Sequence, residues 1–363
     1  MIRVLPDYYK EFKCIGSMCT HNCCIGWGID IDEDCCMEYL RTDGDIGRKL
    51  HEKIYKDEDG CFTFKMNGDR CPFLNSQNLC DIYTELGEDM LCTVCTEYPR
   101  YAEQFAQIEE KGIGLSCEEA GRIIFAHKEP IRFITEEFVG QELPLDDEER
   151  SLYDMLISSR AVIFDILQNR RYSLNSRVCA MLDYAQQLQN HINNGNMSSS
   201  DISLQIHETT HGGNMQNTAQ ITAIFKDILT RTDEWRERLN QIQEKLYSDN
   251  GRYNKMYEQI ISITDERDYE KILVYFIHRY YIKAMYDYDA YAKARLAAAA
   301  YIMLRESDML TILQNGKFTA ADRIENARLF SAELEHSQDN IDALFDELLF
   351  NDAFSGEKLK LSL

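Results

Sequence analysis

Apolar positions recur at helical spacing over most of this chain. Leu152, Met155, Leu156, Ile163, Ile166 and Leu167 share one helix face, and Leu273, Phe276, Ile277, Tyr280, Tyr281, Ala284, Met285 and Tyr288 form a fuller stripe. The first helix is expected to start near Pro144-Leu145-Asp146-Asp147-Glu148-Glu149, where acidic residues complement the positive end of a helix dipole. The second is expected to continue through Ala297-Ala298-Ala299-Ala300 to Arg305, with helix-favouring residues throughout. Its tyrosines, from Tyr275 to Tyr301, are read as core, the usual place for an aromatic stripe at this spacing. Between about Asn193 and Asn217, Asn, Ser, Thr and Gly accumulate, and a loop is expected.

The pattern changes before residue 145. Short alternations such as Ile25-Gly26-Trp27-Gly28-Ile29-Asp30-Ile31-Asp32 and Cys61-Phe62-Thr63-Phe64-Lys65-Met66 predict brief strands between cysteine-bearing turns. All five prolines and twelve of the thirteen cysteines lie in this part, and the following 219 residues contain no proline. Proline breaks helix interiors, so its absence permits helix after helix. The expected protein is mainly α, with an irregular α+β cysteine-rich module over residues 1–144 and an all-helical domain over residues 145–363.

A length of 363 residues allows two or three domains. The formal charge of -23 argues against nucleic acid, whose binding rests on Lys and Arg neutralising phosphates, and makes a basic partner more natural. No apolar run reaches the roughly 18 residues of a membrane span. Charged residues stand early in Met1-Ile2-Arg3-Val4-Leu5-Pro6-Asp7-Tyr8-Tyr9-Lys10, where an export signal would carry its apolar core, so a cytoplasmic protein is expected.

In a reducing compartment, dense cysteine indicates metal binding rather than disulfides. The pattern is Cys14-x4-Cys19-x3-Cys23-Cys24, then Cys71-Pro72-Phe73-Leu74 leading to Cys80, then Cys92-x2-Cys95, and Cys117. Adjacent side chains diverge, so of Cys23 and Cys24 one ligates while the other packs, or the two serve different sites. Cys35, Cys36, Cys61 and Cys179 read as small buried hydrophobes. Only His21 and His51 interleave with the cysteines, which disfavours a zinc site of two cysteines and two histidines, while an all-cysteine zinc site stays open beside an iron-sulfur one.

Several of these motifs stand in an order that resembles a known family. Tyr9 to Asp32 with its Gly26-Trp27, Cys71-Pro72-Phe73-Leu74 with Cys80, Gly87-Glu88-Asp89 leading to Cys95-Thr96-Glu97-Tyr98-Pro99-Arg100, and Leu115-Ser116-Cys117-Glu118-Glu119-Ala120 are similar to the flagellin lysine-N-methylase (FliB-like) family, within the CxxCxxCC cysteine-cluster group. In motif detail the resemblance covers about the first 125 residues. It implies methyl transfer from S-adenosylmethionine to lysine side chains of flagellin, with an iron-sulfur cluster of the 4Fe-4S kind. The family's cysteines fall on Cys14, Cys19, Cys23, Cys24, Cys71, Cys80, Cys95 and Cys117; Cys92 departs from the pattern.

No glycine-rich strand-turn-helix fingerprint is present, so the usual Rossmann site for the methyl donor is absent. Cys19-x3-Cys23 is followed at once by Cys24, which fails the C-x3-C-x2-C pattern of radical adenosylmethionine enzymes. Methyl transfer to lysine requires a deprotonated, desolvated amine held by aromatic and carboxylate groups. Trp27, Asp30, Asp32, Tyr98 and Arg100, beside the proposed ligands, are the catalytic candidates. His207-Glu208-Thr209-Thr210-His211 matches the H-E-x-x-H zinc-protease pattern, but Gly212-Gly213 follows where that helix should continue. From a different class, the rival reading is a non-catalytic iron-sulfur or zinc module that binds a protein partner.

Overall fold

The acidic run after Pro144 does start a helix. The computed structural model describes residues 1–58, 60–199, 202–209, 213–229 and 231–363. In it the Asp146 side chain accepts from the Glu149 N–H at 2.9 Å and Glu149 accepts from the Asp146 N–H at 2.9 Å. This capping box satisfies two of the donors that a helix start leaves free. The helix runs Asp147–Leu167 and buries the whole expected stripe. The next, Leu174–Asn193, ends where the polar loop was expected, and helix resumes at Met215.

The continuous helix expected from Leu273 to Arg305 is two helices. Glu266–Tyr280 passes into short turns at Tyr281–Lys283 and Ala284–Asp287, and Tyr288 closes them in the left-handed conformation at φ 59°. Asp289 then caps Ala290–Asn315 by accepting from the Ala292 N–H at 2.7 Å. Capping at the break overrides the propensity of the residues around it, and lets the two helices pack against each other.

Ala290–Asn315 forms the centre of the bundle. It is buried on all sides by Leu174–Asn193, Asn250–Ile263, Glu266–Tyr280 and Ala320–Glu335, and its alanines allow those neighbours close approach. It also carries buried charge, which is costly unless paired and hydrogen-bonded. Asp308 pairs with Arg323 and accepts from Tyr269 and Asn326, each at 2.7 Å; Glu306 accepts from Arg305 at 3.0 Å, Tyr253 at 3.0 Å and Tyr247 at 3.1 Å.

Among the described residues seven strands, β1 (Ile2–Pro6), β2 (Asp30–Ile31), β3 (Ile54–Lys56), β4 (Phe62–Phe64), β5 (Arg100–Phe105), β6 (Ile108–Ile113) and β7 (Phe133–Glu137), build two sheets. One has the order β5-β6-β1-β7, with β1 parallel to β6 and antiparallel to β7; the other, β2-β4-β3, is antiparallel. The alternating segments thus contribute β2 and β4, while the larger sheet draws on residues that the hydrophobic pattern left unassigned.

Two apolar cores result, and they divide the chain differently from its composition. Tyr8, Phe12, Phe105, Ile113 and Leu115, from the larger sheet and its surroundings, share one core with the helical bundle. Ile29, Ile31, Tyr39, Leu50, Phe64, Phe73 and Ile82 form a second, small core into which Cys36, Cys71 and Cys92 are packed. The helix Glu118–Ala126 packs on Ala320–Glu335 so closely that a Cβ on Gly121 would meet Ile324 at 3.2 Å.

A buried ion pair ties the larger sheet to the bundle: Arg160 Nη1 donates to Glu110 Oε2 at 2.6 Å, and Nη2 engages the other oxygen. Burial pushes the Glu110 carboxyl up, but Arg160 outweighs it and holds the group below its ordinary range. Glu110→Ala leaves that guanidinium uncompensated and should cost about 3–5 kcal/mol, read as a lower urea midpoint at an unchanged slope. A carboxylate with a depressed native pKa stabilises above its unfolded value and loses that contribution as pH falls through the native one. The difference between variant and wild type should therefore shrink below about pH 4.

Candidate functional site

The thiols gather around the second core and beside it. Cys71 and Cys92 are buried, Cys14 and Cys61 are exposed, the other proposed ligands are half-buried, and all are free. The exposure of Cys61 departs from its expected place as a packed hydrophobe; Cys36 keeps that place. The Cys71 N–H donates to the Cys24 carbonyl at 2.8 Å, and a bridge between Leu74 and Cys80 closes the Cys71-to-Cys80 turn. Cys92 and Cys95 stand one helical turn apart at the start of the short helix Thr93–Glu97. On the other side, Cys19 Sγ lies 3.6 Å from Glu118 Oε2, next to Cys117, and Thr20 donates to the same oxygen through N at 2.9 Å and Oγ1 at 2.6 Å.

Burial pushes the Cys19 thiol up to about 12, and Cys71 and Cys117 up to about 11, with the charges of neighbouring cysteines adding to the rise. Thiols that raise one another in this way stay protonated at neutral pH unless a cation joins them, since a coordinating thiol is deprotonated outright. Among the described residues, no group of three or more His, Cys, Asp or Glu side chains is arranged to hold a metal ion. A zinc ion draws its thiolates to about 2.3 Å and so close to each other.

Next to the thiols stands a ring cluster. The Trp27 ring lies 5.6 Å from that of Tyr98 and is stacked on His336 at 5.6 Å and 28°, while Tyr98 meets His336 edge-on at 5.9 Å. Trp27 Nε1 donates to the Cys23 carbonyl, and Tyr98 Oη donates to Ser116 Oγ at 3.2 Å, one residue before Cys117. His336 closes the helix Ala320–Glu335, so the cluster joins the cysteine region to the bundle. Arg231 stitches the same junction: Nη1 donates to the Gly26 carbonyl at 3.3 Å, Nε to the Ala332 carbonyl at 3.3 Å, and Nη2 lies 3.4 Å from His336 Nδ1. All three rings are half-buried.

The electrostatics of the cluster are one-sided. Burial lowers His336 to about 4, and the charges of Arg231, Arg279 and Arg328 act in the same direction, so the imidazole is neutral at physiological pH. Burial raises Tyr98 and keeps its phenol protonated. Arg279 and Arg328 pair with Glu335 and Glu325; among the described residues no carboxylate pairs with the Arg231 guanidinium.

Residues 160–361, more than half of the chain, match the FliB lysine N-methylase C-terminal domain. The chain belongs to the FliB lysine N-methylase family. It is 25% identical over 126 residues to the flagellar biosynthetic protein FliU of Salmonella muenchen, covering 31% of this chain and 71% of that protein. The lysine-N-methylases of Salmonella typhimurium and Salmonella choleraesuis are each 26% identical over 120 residues, 31% of this chain and 30% of theirs. The chain's match thus spans less than a third of the length of those two methylases. No solved structure matches the chain. Within the FliB family span lie both Arg231 and His336.

Of the catalytic candidates, Trp27 and Tyr98 meet and the others stand apart. Asp30 is exposed on β2. Arg100 sits over the Phe12 ring at 4.9 Å and donates to the Thr96 carbonyl at 3.5 Å. Asp32 is structural: it caps Glu33–Arg41 and accepts from the Thr93 N–H at 2.8 Å. His207 and Glu208 belong to no helix, Glu208 accepts from Ser173 and Ser176, and His211 lies outside the described residues. Sequence reasoning missed Arg231 and His336, which carry no local motif. Among the described residues no helix is long and apolar enough to cross a membrane.

A histidine whose native pKa is depressed takes its proton more readily in the unfolded chain. Stability should therefore fall as pH drops from about 6.5 towards the native value near 4. His336→Phe keeps a ring in place and should flatten part of this slope in urea titrations at pH 7 and pH 5; His278, also held near 4, supplies the rest. An unchanged slope would mean that the His336 imidazole is solvated in both states.

Proposed function

We propose that this protein transfers methyl groups from S-adenosylmethionine to lysine side chains of flagellin, and that its cysteines hold an iron-sulfur cluster. The observation that carries the reading is the meeting of Trp27 and Tyr98 with His336, a residue inside the span matched to the lysine N-methylase domain. A further support is the net charge of -23, which suits a lysine-bearing substrate.

The reaction needs a neutral amine. Its nitrogen lone pair forms the new bond to the methyl carbon, the bond from that carbon to the donor's sulfonium sulfur breaks towards sulfur, and the amine's extra proton leaves to solvent or a base. The faces of Trp27 and His336 desolvate the lysine stem and limit its approach to one direction. The Arg231 guanidinium, with no carboxylate paired to it among the described residues, adds positive charge beside the rings, which disfavours the ammonium form and lowers the pH at which the lysine becomes a nucleophile. Tyr98, protonated and hydrogen-bonded to Ser116, offers its oxygen to the amine hydrogens. When bound, an iron-sulfur cluster would be held by four thiolates drawn from Cys14, Cys19, Cys23, Cys24, Cys71, Cys80, Cys95 and Cys117; it would supply order to the segments that carry them, and redox capacity.

Incubated with S-adenosylmethionine and the flagellin of its own organism, the intact protein should add methyl mass to surface lysines, read by mass spectrometry. Trp27→Ala and His336→Ala should each slow transfer by about tenfold to a hundredfold, the usual effect of losing a positioning group, while Asp30→Ala and Arg100→Ala stay near wild type. The rate should climb with pH to a plateau below about 10, because the bound lysine titrates lower than a free one. No gain of mass at any lysine, with a donor shown to bind, would leave the non-catalytic module as the better account.

A further inference from the structure

A groove of about 560 Å³ opens between the helix Glu33–Arg41 and residues 89–97. Asp34, Met37, Glu38 and Arg41 stand at i, i+3, i+4 and i+7, so one whole face of that helix lines it. The helix buries Cys36 and Tyr39 in the second apolar core and leaves the groove face without a partner. Met37 is 48% exposed there, opposite Met90 and Leu91. The two walls are fixed at their base. Asp32 accepts from the Cys35 N–H at 3.0 Å and from the Thr93 N–H at 2.8 Å, and Tyr39 Oη donates to the Met90 carbonyl at 2.7 Å. The groove is therefore formed before anything enters it.

Its charge selects the occupant. Five carboxylates and one guanidinium line the groove, and the guanidinium, Arg41, is taken by Glu38 at 2.9 Å. Asp32 is engaged by backbone N–H groups, whereas Asp34, Asp89 and Glu97 pair with no Lys or Arg among the described residues. Methionine beside carboxylate matches lysine, whose four-carbon stem lies along apolar surface while its ammonium meets the charge. A purely apolar segment would strand the carboxylates. We propose that this groove docks an extended, lysine-bearing segment of the protein substrate, beside the lysine that is methylated. Glu97 on its wall is followed at once by Tyr98 of the ring cluster, which makes the docking surface continuous with the candidate site. About three extended residues span the ~10 Å from Asp34 to Arg41. They set a basic side chain on the groove's carboxylates while the reacting lysine enters among the rings.

The inference deepens the reading that the protein methylates lysine, and the test separates the two. Full-length protein is titrated by fluorescence anisotropy with a labelled peptide of alternating Lys and Ala, with a Glu-Ala peptide as control. The Lys peptide should bind, more weakly as salt rises, and the Glu peptide should not. Asp34→Asn combined with Asp89→Asn should weaken binding about fivefold to tenfold. Asp339→Asn combined with Glu148→Gln, at exposed carboxylates outside the groove, should leave it unchanged. With flagellin as methyl acceptor, the groove pair should raise KM and leave kcat as it was; circular dichroism and urea midpoints check that the variants fold. Equal weakening by the outside pair, or none by the groove pair, would overturn the docking site. So would a dimer in sedimentation that the groove pair dissociates, because a second copy would then be the occupant. Peptide held in the groove with no methyl mass on flagellin would keep the docking site and overturn the methylation reading. Methyl transfer at an unchanged KM in the groove pair would do the reverse.

Discussion

The carboxylate of Glu335, buried in a bundle of helices, determines where the ring cluster can form. It pairs with Arg279 at 2.9 Å and accepts from Tyr275 at 2.9 Å and Tyr280 at 3.0 Å, with Ser331 completing the set. A buried carboxylate without such partners would cost several kcal/mol, so the end of Ala320–Glu335 is held against Glu266–Tyr280. His336 is the next residue and has little freedom left. Arg279 also lies over the Tyr101 ring at 4.3 Å, and Tyr275 Oη accepts from the Leu115 N–H at 3.3 Å. One charge pair in the bundle thus sets the distance to the strand and loop that bear Tyr98 and Cys117.

From this junction follows a division of labour between the two parts of the fold. The bundle supplies rigid, charged walls; the cysteine region supplies Trp27, Tyr98 and the thiols. Both are needed for one cluster, because Trp27 is anchored to the Cys23 carbonyl while the group stacked on it comes from the far part of the chain. Loss of order among the thiols would therefore release Trp27 even if the bundle stayed intact. A positive environment beside a neutral imidazole is poor for binding a permanent cation. It is suitable for an amine that must lose its proton before it reacts.

Membership of the FliB family was legible in the first 125 residues, through motifs, whereas the family match itself covers residues 160–361. The two observations concern different parts of the chain and agree. Capping also made elements legible: the acidic run after Pro144 is a helix start as written, and the polar stretch after Asn193 is free of helix up to Met215 as far as the described residues show. The break near Tyr288 was not legible, since nothing in an alanine-rich, tyrosine-rich run announces a left-handed residue. Nor was the larger sheet, whose β1 pairs with strands about a hundred residues or more away.

By itself, then, the sequence determined the helical class, the concentration of thiols and the family, because helical periodicity, capping and motif spacing are local properties. It also placed Trp27 and Tyr98 close in the chain to cysteines, Cys23 and Cys95. Only the tertiary structure decided that these two rings meet each other and His336, and that Asp30 and Arg100 do not join them. The reason is physical: the ring contacts join segments about 70 to 310 residues apart, and their partners, like those of the buried ion pairs, are chosen by packing and charge compensation, which leave no periodic trace in the chain.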